Sequence, residues 1–90
     1  MFEWDERKRA WTLAQRGIDF VDLLGVLDDP RRLEVEDLRK DYGERRFVIL
    51  CPVEGRLLHV TWTPRGANRR IISARKANER ERRGYERYRR

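Results

Sequence analysis

An α+β fold is expected for this 90-residue chain: two N-terminal helices packed on a four- to five-stranded, mostly antiparallel sheet, with a basic C-terminal helix at the end. Three observations carry the expectation. Apolar residues recur with the helical period up to Pro30 and with a period of two after it, which marks a helical layer followed by a sheet layer inside one domain. The strand-like runs after Pro30 are separated by short turns rich in Pro and Gly, so consecutive strands pair as an antiparallel meander and not through crossover units. Asn78 with Glu81 at capping-box spacing opens a last helix crowded with arginine.

Phe2-Glu3-Trp4 alternates apolar with polar and predicts a short edge strand. Asp5 then caps a helix that runs to about Arg16 and stops at Gly17, with Ala10, Trp11, Leu13 and Ala14 as the expected inward stripe. Asp19 opens a second helix with Asp22 at the capping-box position, and Phe20, Leu23, Leu24 and Leu27 fall on one face. Asp28-Asp29-Pro30 ends it, because the residue before a proline avoids the helical region. Leu33–Glu36, Arg45–Cys51 and Arg56–Thr63 read as strands, the last two joined by a hairpin over Pro52-Val53-Glu54-Gly55. Pro64 to Asn68 turns the chain into a strand around Ile71-Ile72, where alternation puts Ile71, Ser73 and Arg75 on one face and Arg70, Ile72, Ala74 and Lys76 on the other. The helix after Asn78 carries Arg80, Arg82, Arg83, Arg87, Arg89 and Arg90.

With 39% apolar and 42% charged residues, the chain builds one small core, and residues 1–90 are read as a single domain. The net charge of +6 is unevenly distributed. Residues 65–90 hold eleven of the 22 cations and three of the 16 acids, a local balance of +8, which leaves −2 for the remainder. Arginines at that density repel one another unless an anion joins them, and the candidates are nucleic acid, an acidic protein or an anionic membrane. Membrane is the weakest candidate, since the sequence has no long apolar run and its first residues form neither a signal peptide nor a lipidation site; a cytoplasmic location is expected. The single Cys51 lies within an apolar strand and reads as a small buried hydrophobe. One His and one Cys without spaced carboxylates do not make a transition-metal site, the pairs Asp28-Asp29 and Glu34/Glu36 read as solvated surface, and there is no Gly-rich phosphate loop; no metal and no cofactor is expected.

Chemistry therefore rests on cations and a few proton-transfer groups. Glu44 beside Arg45 and Arg46 reads first as a surface ion pair and second as a base, while Tyr85 and Tyr88 read first as an apolar helix stripe. Arg65 sits in a turn. Arg75 is less easily dismissed as a solvated charge, since it follows Ile, Ser and Ala in a strand and suggests the floor of a groove. The same basic third also suits a non-catalytic nucleic-acid-binding module, or an adaptor whose helix docks on an acidic protein. Few aromatic residues lie there to stack bases, which weighs against a reader of single-stranded sequence.

Phe2-Glu3-Trp4-Asp5, Lys8, Gly17-Ile18-Asp19-Phe20, Asp29-Pro30, Glu44-Arg45-Arg46, Leu57-Leu58-His59-Val60, Arg65-Gly66 and above all Arg70-Ile71-Ile72-Ser73-Ala74-Arg75-Lys76-Ala77 follow one another in an order that resembles the BrnT family of type II toxins. The resemblance implies a RelE-like ribonuclease fold and metal-independent RNA cleavage that blocks translation. It also implies a partner, a cognate ribbon-helix-helix antitoxin of the BrnA-like kind, and it places Glu44, Arg65 and Arg75 on the active surface. The chain departs from the family pattern at Thr12, where Asn is usual, and at Gln15-Arg16, where Lys-His is usual; a guanidinium does not release a proton at neutral pH and cannot replace an imidazole in acid–base work. Metal-free RNA cleavage uses the substrate's 2′-hydroxyl, which needs a base, cations around the phosphorane and an acid for the leaving oxygen. The expected assignment is Glu44 as base, Arg65 and Arg75 as transition-state cations, Arg45, Arg70, Lys76 and Arg80 on the RNA backbone, and His59 or Tyr85 as the remaining acid or base.

Overall fold

The computed structural model describes residues 1–89; Arg90, counted above among the helix cations, lies outside the described residues. Strand β1 (Phe2–Glu3) leads into helix α1 (Glu6–Arg16), which is followed by two short 3-10 turns, Phe20–Leu23 and Val26–Asp28. Strands β2 (Leu33–Glu36), β3 (Phe47–Val53), β4 (Arg56–Arg65) and β5 (Asn68–Lys76) precede helix α2 (Glu79–Tyr88). The sheet has the order β1-β5-β4-β3-β2. Strands β2 to β5 form the expected antiparallel meander, but β1 joins β5 in parallel through Phe2↔Arg69 and Glu3↔Arg70, so the sheet is mixed. No helix among the described residues is long and apolar enough to cross a membrane.

The N-terminal third departs from expectation twice. Helix α1 starts and stops as predicted, with the Asp5 carboxylate accepting from Arg7 N and Lys8 N and Gly17 taking the left-handed conformation at φ 68°. Its inward residue, however, is Thr12, while Trp11 and Leu13 are 47% and 46% exposed and Ala10 and Ala14 face solvent. Polar contacts set this rotation: Arg9 donates through Nε and Nη2 to Asp19 at 2.8 and 3.2 Å, and Arg16 donates to the Ala74 carbonyl of β5 at 2.9 Å. Lys8 and Arg16 then lie over the exposed Trp11 ring at 5.2 and 4.8 Å. The expected second α-helix is instead the pair of 3-10 turns. Asp19 accepts from Val21 N and from Arg9, Asp22 makes no capping box, and Gly25 interrupts the run. The apolar spacing Phe20, Leu23, Val26 fits three residues per turn, and all three side chains are buried.

The core lies on the sheet face that these turns cover: Ile49, Cys51, Leu58, Val60, Ile71 and Ala74 pack against Ile18, Phe20, Leu23, Val26 and Leu27. Cys51 is fully buried, and burial pushes its thiol up to about 11, consistent with a packing residue. The hairpin turns on Glu54-Gly55 alone, at φ 50° and 81°, so β3 runs on through Val53. On the other face, α2 covers one end of the sheet by seating Ala77 and Tyr85 against Leu50, Leu57 and Leu33.

Strict alternation fails within β5. Pairing runs Thr61↔Ser73 and then Trp62↔Ile71, so Ile72 is an extra residue and forms a bulge. Ile71 therefore joins Ala74 in the core, at 1% and 0% exposure, and does not share the face of Arg75. Arg70, paired with Thr63, moves to the face of Ser73 and Arg75.

Candidate active site

Register determines which side chains share the face opposite the core. His59, Thr61, Thr63 and Arg65 alternate along β4, across from Arg75, Ser73, Arg70 and Asn68 of β5, and the β1 residue Glu3 pairs with Arg70. Beyond the end covered by α2 this face is only partly open: Thr63 is fully buried with its hydroxyl donating to the Arg45 carbonyl, whereas Arg65 at the hairpin end is exposed, and the charged groups gather at two centres.

The first centre is at the α2 end, where His59 and Arg75 are cross-strand partners. The Arg75 guanidinium donates from Nη1 to Glu81 Oε1 at 2.9 Å and from Nη2 to Oε2 at 2.8 Å, a bidentate pair. Glu81 Oε2 lies 3.6 Å from His59 Nε2. Local sequence positions Glu81, because Asn78 and Glu81 form the predicted capping box: Glu81 N donates to Asn78 Oδ1 at 2.8 Å and Asn78 N donates to Glu81 Oε1 at 2.9 Å. The hydrogen bonds from Arg75 hold the Glu81 carboxyl down at about 2, and those to Glu81 raise Arg75. His59 is shifted the other way. Burial first, and then the Arg75 cation, push the imidazole below its ordinary 6.5 against the pull of Glu81, and Arg39 in the β2–β3 connection adds to the downward push. The imidazole is 14% exposed, and its Nδ1 is buried without a hydrogen-bond partner.

The second centre surrounds Glu3 and Glu44. Glu44 accepts from Arg46 Nε at 3.1 Å and lies 3.5 Å from Arg65 Nη2. Glu3 accepts from Asn68 at 2.9 Å and from Arg70 at 3.3 Å, with Arg65 at 3.8 Å. The Asn68 bond, the largest influence, holds the Glu3 carboxyl below its ordinary value against the opposing effect of burial, with Arg70 and Arg65 adding to the downward shift. Arg65 is half exposed at the tip of the β4–β5 hairpin.

The predicted site residues thus divide. Glu44 and Arg65 meet, but Arg75 belongs with His59, and the six residue steps from His59 to Arg65 span about 20 Å of strand. Arg70 is on the open face. Lys76, paired with Leu58, is on the opposite face, and so is Arg45, which bonds Glu36 at 2.9 and 3.1 Å and lies over the Phe47 ring. Arg80 is exposed on the first turn of α2. Tyr85 is buried, and its hydroxyl donates to the Arg31 carbonyl at 2.6 Å, which makes it a packing residue and not a proton donor at either centre. Glu81 was visible in the sequence only as a cap, and Glu3 only as a strand residue. Their distant partners follow from chain topology, which no local spacing encodes.

A family model described as "Ribonuclease toxin, BrnT, of type II toxin-antitoxin system" matches residues 4–81. No curated protein matches the chain. The match covers the whole first centre, up to the carboxylate that grips Arg75, and all of the second except Glu3, and the chain belongs to the BrnT family of type II toxin–antitoxin ribonuclease toxins.

Proposed function

We propose that this toxin is a metal-independent endoribonuclease that cuts RNA through the substrate's own 2′-hydroxyl at the His59–Arg75 centre and blocks translation in the cytoplasm. The observation that carries the reading is the pairing of His59 with Arg75 at the α2 end of the sheet face opposite the core, with the imidazole held below its ordinary range. A neutral imidazole is the best base available at pH 7: it takes the 2′-hydroxyl proton as the 2′-oxygen bonds to phosphorus, and the imidazolium so formed returns that proton to the 5′-oxygen as its bond to phosphorus breaks. Arg75 neutralises the charge that develops on the phosphorane, a contribution worth roughly 3 kcal/mol for one preorganised donor. Arg70 and Arg65 hold the flanking backbone farther along the strands, and Glu44 orients Arg65 in place of its expected role as base. Lys76 and Arg45, on the far side of the sheet, take no part in binding this strand. Arg80 extends the cationic path along α2.

The partner in this reading is a BrnA-like ribbon-helix-helix antitoxin that covers the open face and the outer side of α2. The test is labelled RNA incubated with purified toxin in EDTA. Products ending in a 2′,3′-cyclic or 3′-phosphate, and survival of a substrate with 2′-deoxyribose at the cut position, are the expected results. Cleavage of that deoxy substrate, or an absolute need for Mg²⁺, would overturn the mechanism.

A further inference from the structure

The capping box explains only half of what Glu81 does. Its Oε1 accepts from Asn78 N, as a cap requires, but Oε2 contributes nothing to the cap: it accepts from Arg75 Nη2 at 2.8 Å and faces His59 Nε2 at 3.6 Å. We propose that Glu81 is a positioning residue of the cleavage centre, which fixes the Arg75 guanidinium beside His59 and is itself held in place by the docking of α2. The proposal rests on the reading that RNA is cut at this centre.

Three features support it. The carboxylate is only 22% exposed on its side chain, so its grip on Arg75 is not a loose surface pair. The element that carries it is anchored twice, by Ala77 N donating to Leu57 O at 2.9 Å and by the Tyr85 hydroxyl on Arg31 O at 2.6 Å, and a docked helix end places a side chain more accurately than a loop does. The charges around His59 are Arg75 from β5, Arg39 from the β2–β3 connection and Glu81 from α2; Glu81 is the one anion among them and opposes the two cations. Without it, Arg75 keeps only the 3.2 Å bond from Nη1 to the Lys76 carbonyl and His59 faces cations alone.

The test compares Glu81→Gln with Asn78→Ala, using a short labelled single-stranded RNA that the wild-type toxin cleaves. Glutamine keeps the acceptor that the cap needs and loses the charge and the bidentate grip, whereas Asn78→Ala weakens the cap and leaves the carboxylate. Glu81→Gln should lower kcat by about a hundredfold with a much smaller change in KM, because a slightly misplaced group costs that much. The acid limb of its pH–rate profile, and the His59 titration followed by NMR without RNA, should both move to lower pH. Asn78→Ala should lower the melting temperature and leave the profile in place. Wild-type kcat and an unshifted profile in Glu81→Gln would overturn the proposal, as would Asn78→Ala reproducing every effect of Glu81→Gln, since the role would then be capping alone. Arg75→Ala and His59→Gln separate this from a failure of the underlying reading. If both cleave normally, the centre itself is wrong; if both are inactive while Glu81→Gln is normal, only the positioning role is wrong.

Discussion

His59 and Glu81 are neighbours whose proton affinities are both lowered, the imidazole mainly by burial and the carboxyl mainly by Arg75. The folded protein therefore binds fewer protons than the unfolded chain in acid, and stability must fall as pH falls. The His59 share is complete above its ordinary 6.5 and is lost below it. The Glu81 share is complete above 4.5 and is lost as pH falls towards about 2. The melting temperature should drop in these two stages on acidification, and Glu81→Gln should show a smaller lower stage; thermal scans across pH 2–8 check both. Arg75→Ala should reduce cleavage by about a hundredfold to a thousandfold and leaves no core cavity, but by removing the main partner of Glu81 it should also abolish most of the lower acid stage. Arg75→Lys should also be impaired, because an ammonium cannot present two parallel donors. Tyr85→Phe, by contrast, should lose about 1 kcal/mol in a denaturant titration through the bond to Arg31, and should lower cleavage far less than Arg75→Ala, since Ala77 still anchors the start of α2.

Two elements owe their orientation to a few polar atoms. The exposed Trp11 and Leu13 show that α1 is rotated away from its apolar stripe, held by the Arg9–Asp19 pair and the Arg16 bond to β5. Trp11→Ala or Leu13→Ala should each cost about 1 kcal/mol or less, whereas Phe20→Ala, fully buried under the 3-10 turns, should cost about 3–5 kcal/mol. Equal losses at Trp11 and Phe20 in equilibrium unfolding would mean that the helix buries its stripe after all. Arg16 has a structural part here, saturating a carbonyl of β5 where β1 is too short to reach. The bulge at Ile72 does comparable work in β5. By adding one residue it sends Ile71 into the core and brings Arg70 round to the face of Arg75.

For the whole molecule, the charge that matters to RNA is smaller than the sequence balance. Of the +8 carried by residues 65–90, which already counts the Arg75–Glu81 and Arg83–Glu79 pairs, Arg65, Arg69 and Arg70 are further offset by the three carboxylates Glu44, Asp28 and Glu3 outside the segment, which leaves +5. About five net charges then remain to meet phosphates, and log K for single-stranded RNA should fall with log salt at a slope of about −3.5. A slope near −6, measured by fluorescence titration, would show that RNA breaks the internal pairs. An antitoxin that buries apolar surface along with the charges should bind with a weaker salt dependence, and should compete with RNA if it covers the open face.

Helix capping, hairpin turns and the antiparallel order of β2 to β5 were legible because each depends on residues close together in the chain: Asp5 and Gly17 for α1, Glu54-Gly55 for the hairpin, Asn78 and Glu81 for α2. The family resemblance was legible for the same reason, as ordered short motifs that the family match over residues 4–81 bears out. Tertiary structure alone decided which side of α1 faces inward, since Arg9, Asp19, Arg16 and Ala74 meet only when the chain folds back. It also decided the composition of the centres. Glu44, in the β2–β3 connection, meets Arg65 at the far end of β4 from the His59–Arg75 pair, whereas Glu81, placed by its cap, reaches Arg75 and His59 because a strand and a helix converge there. Local propensity fixes where an element begins and ends; which side chains meet across elements depends on register, bulges and docking, which are set by contacts distant in sequence.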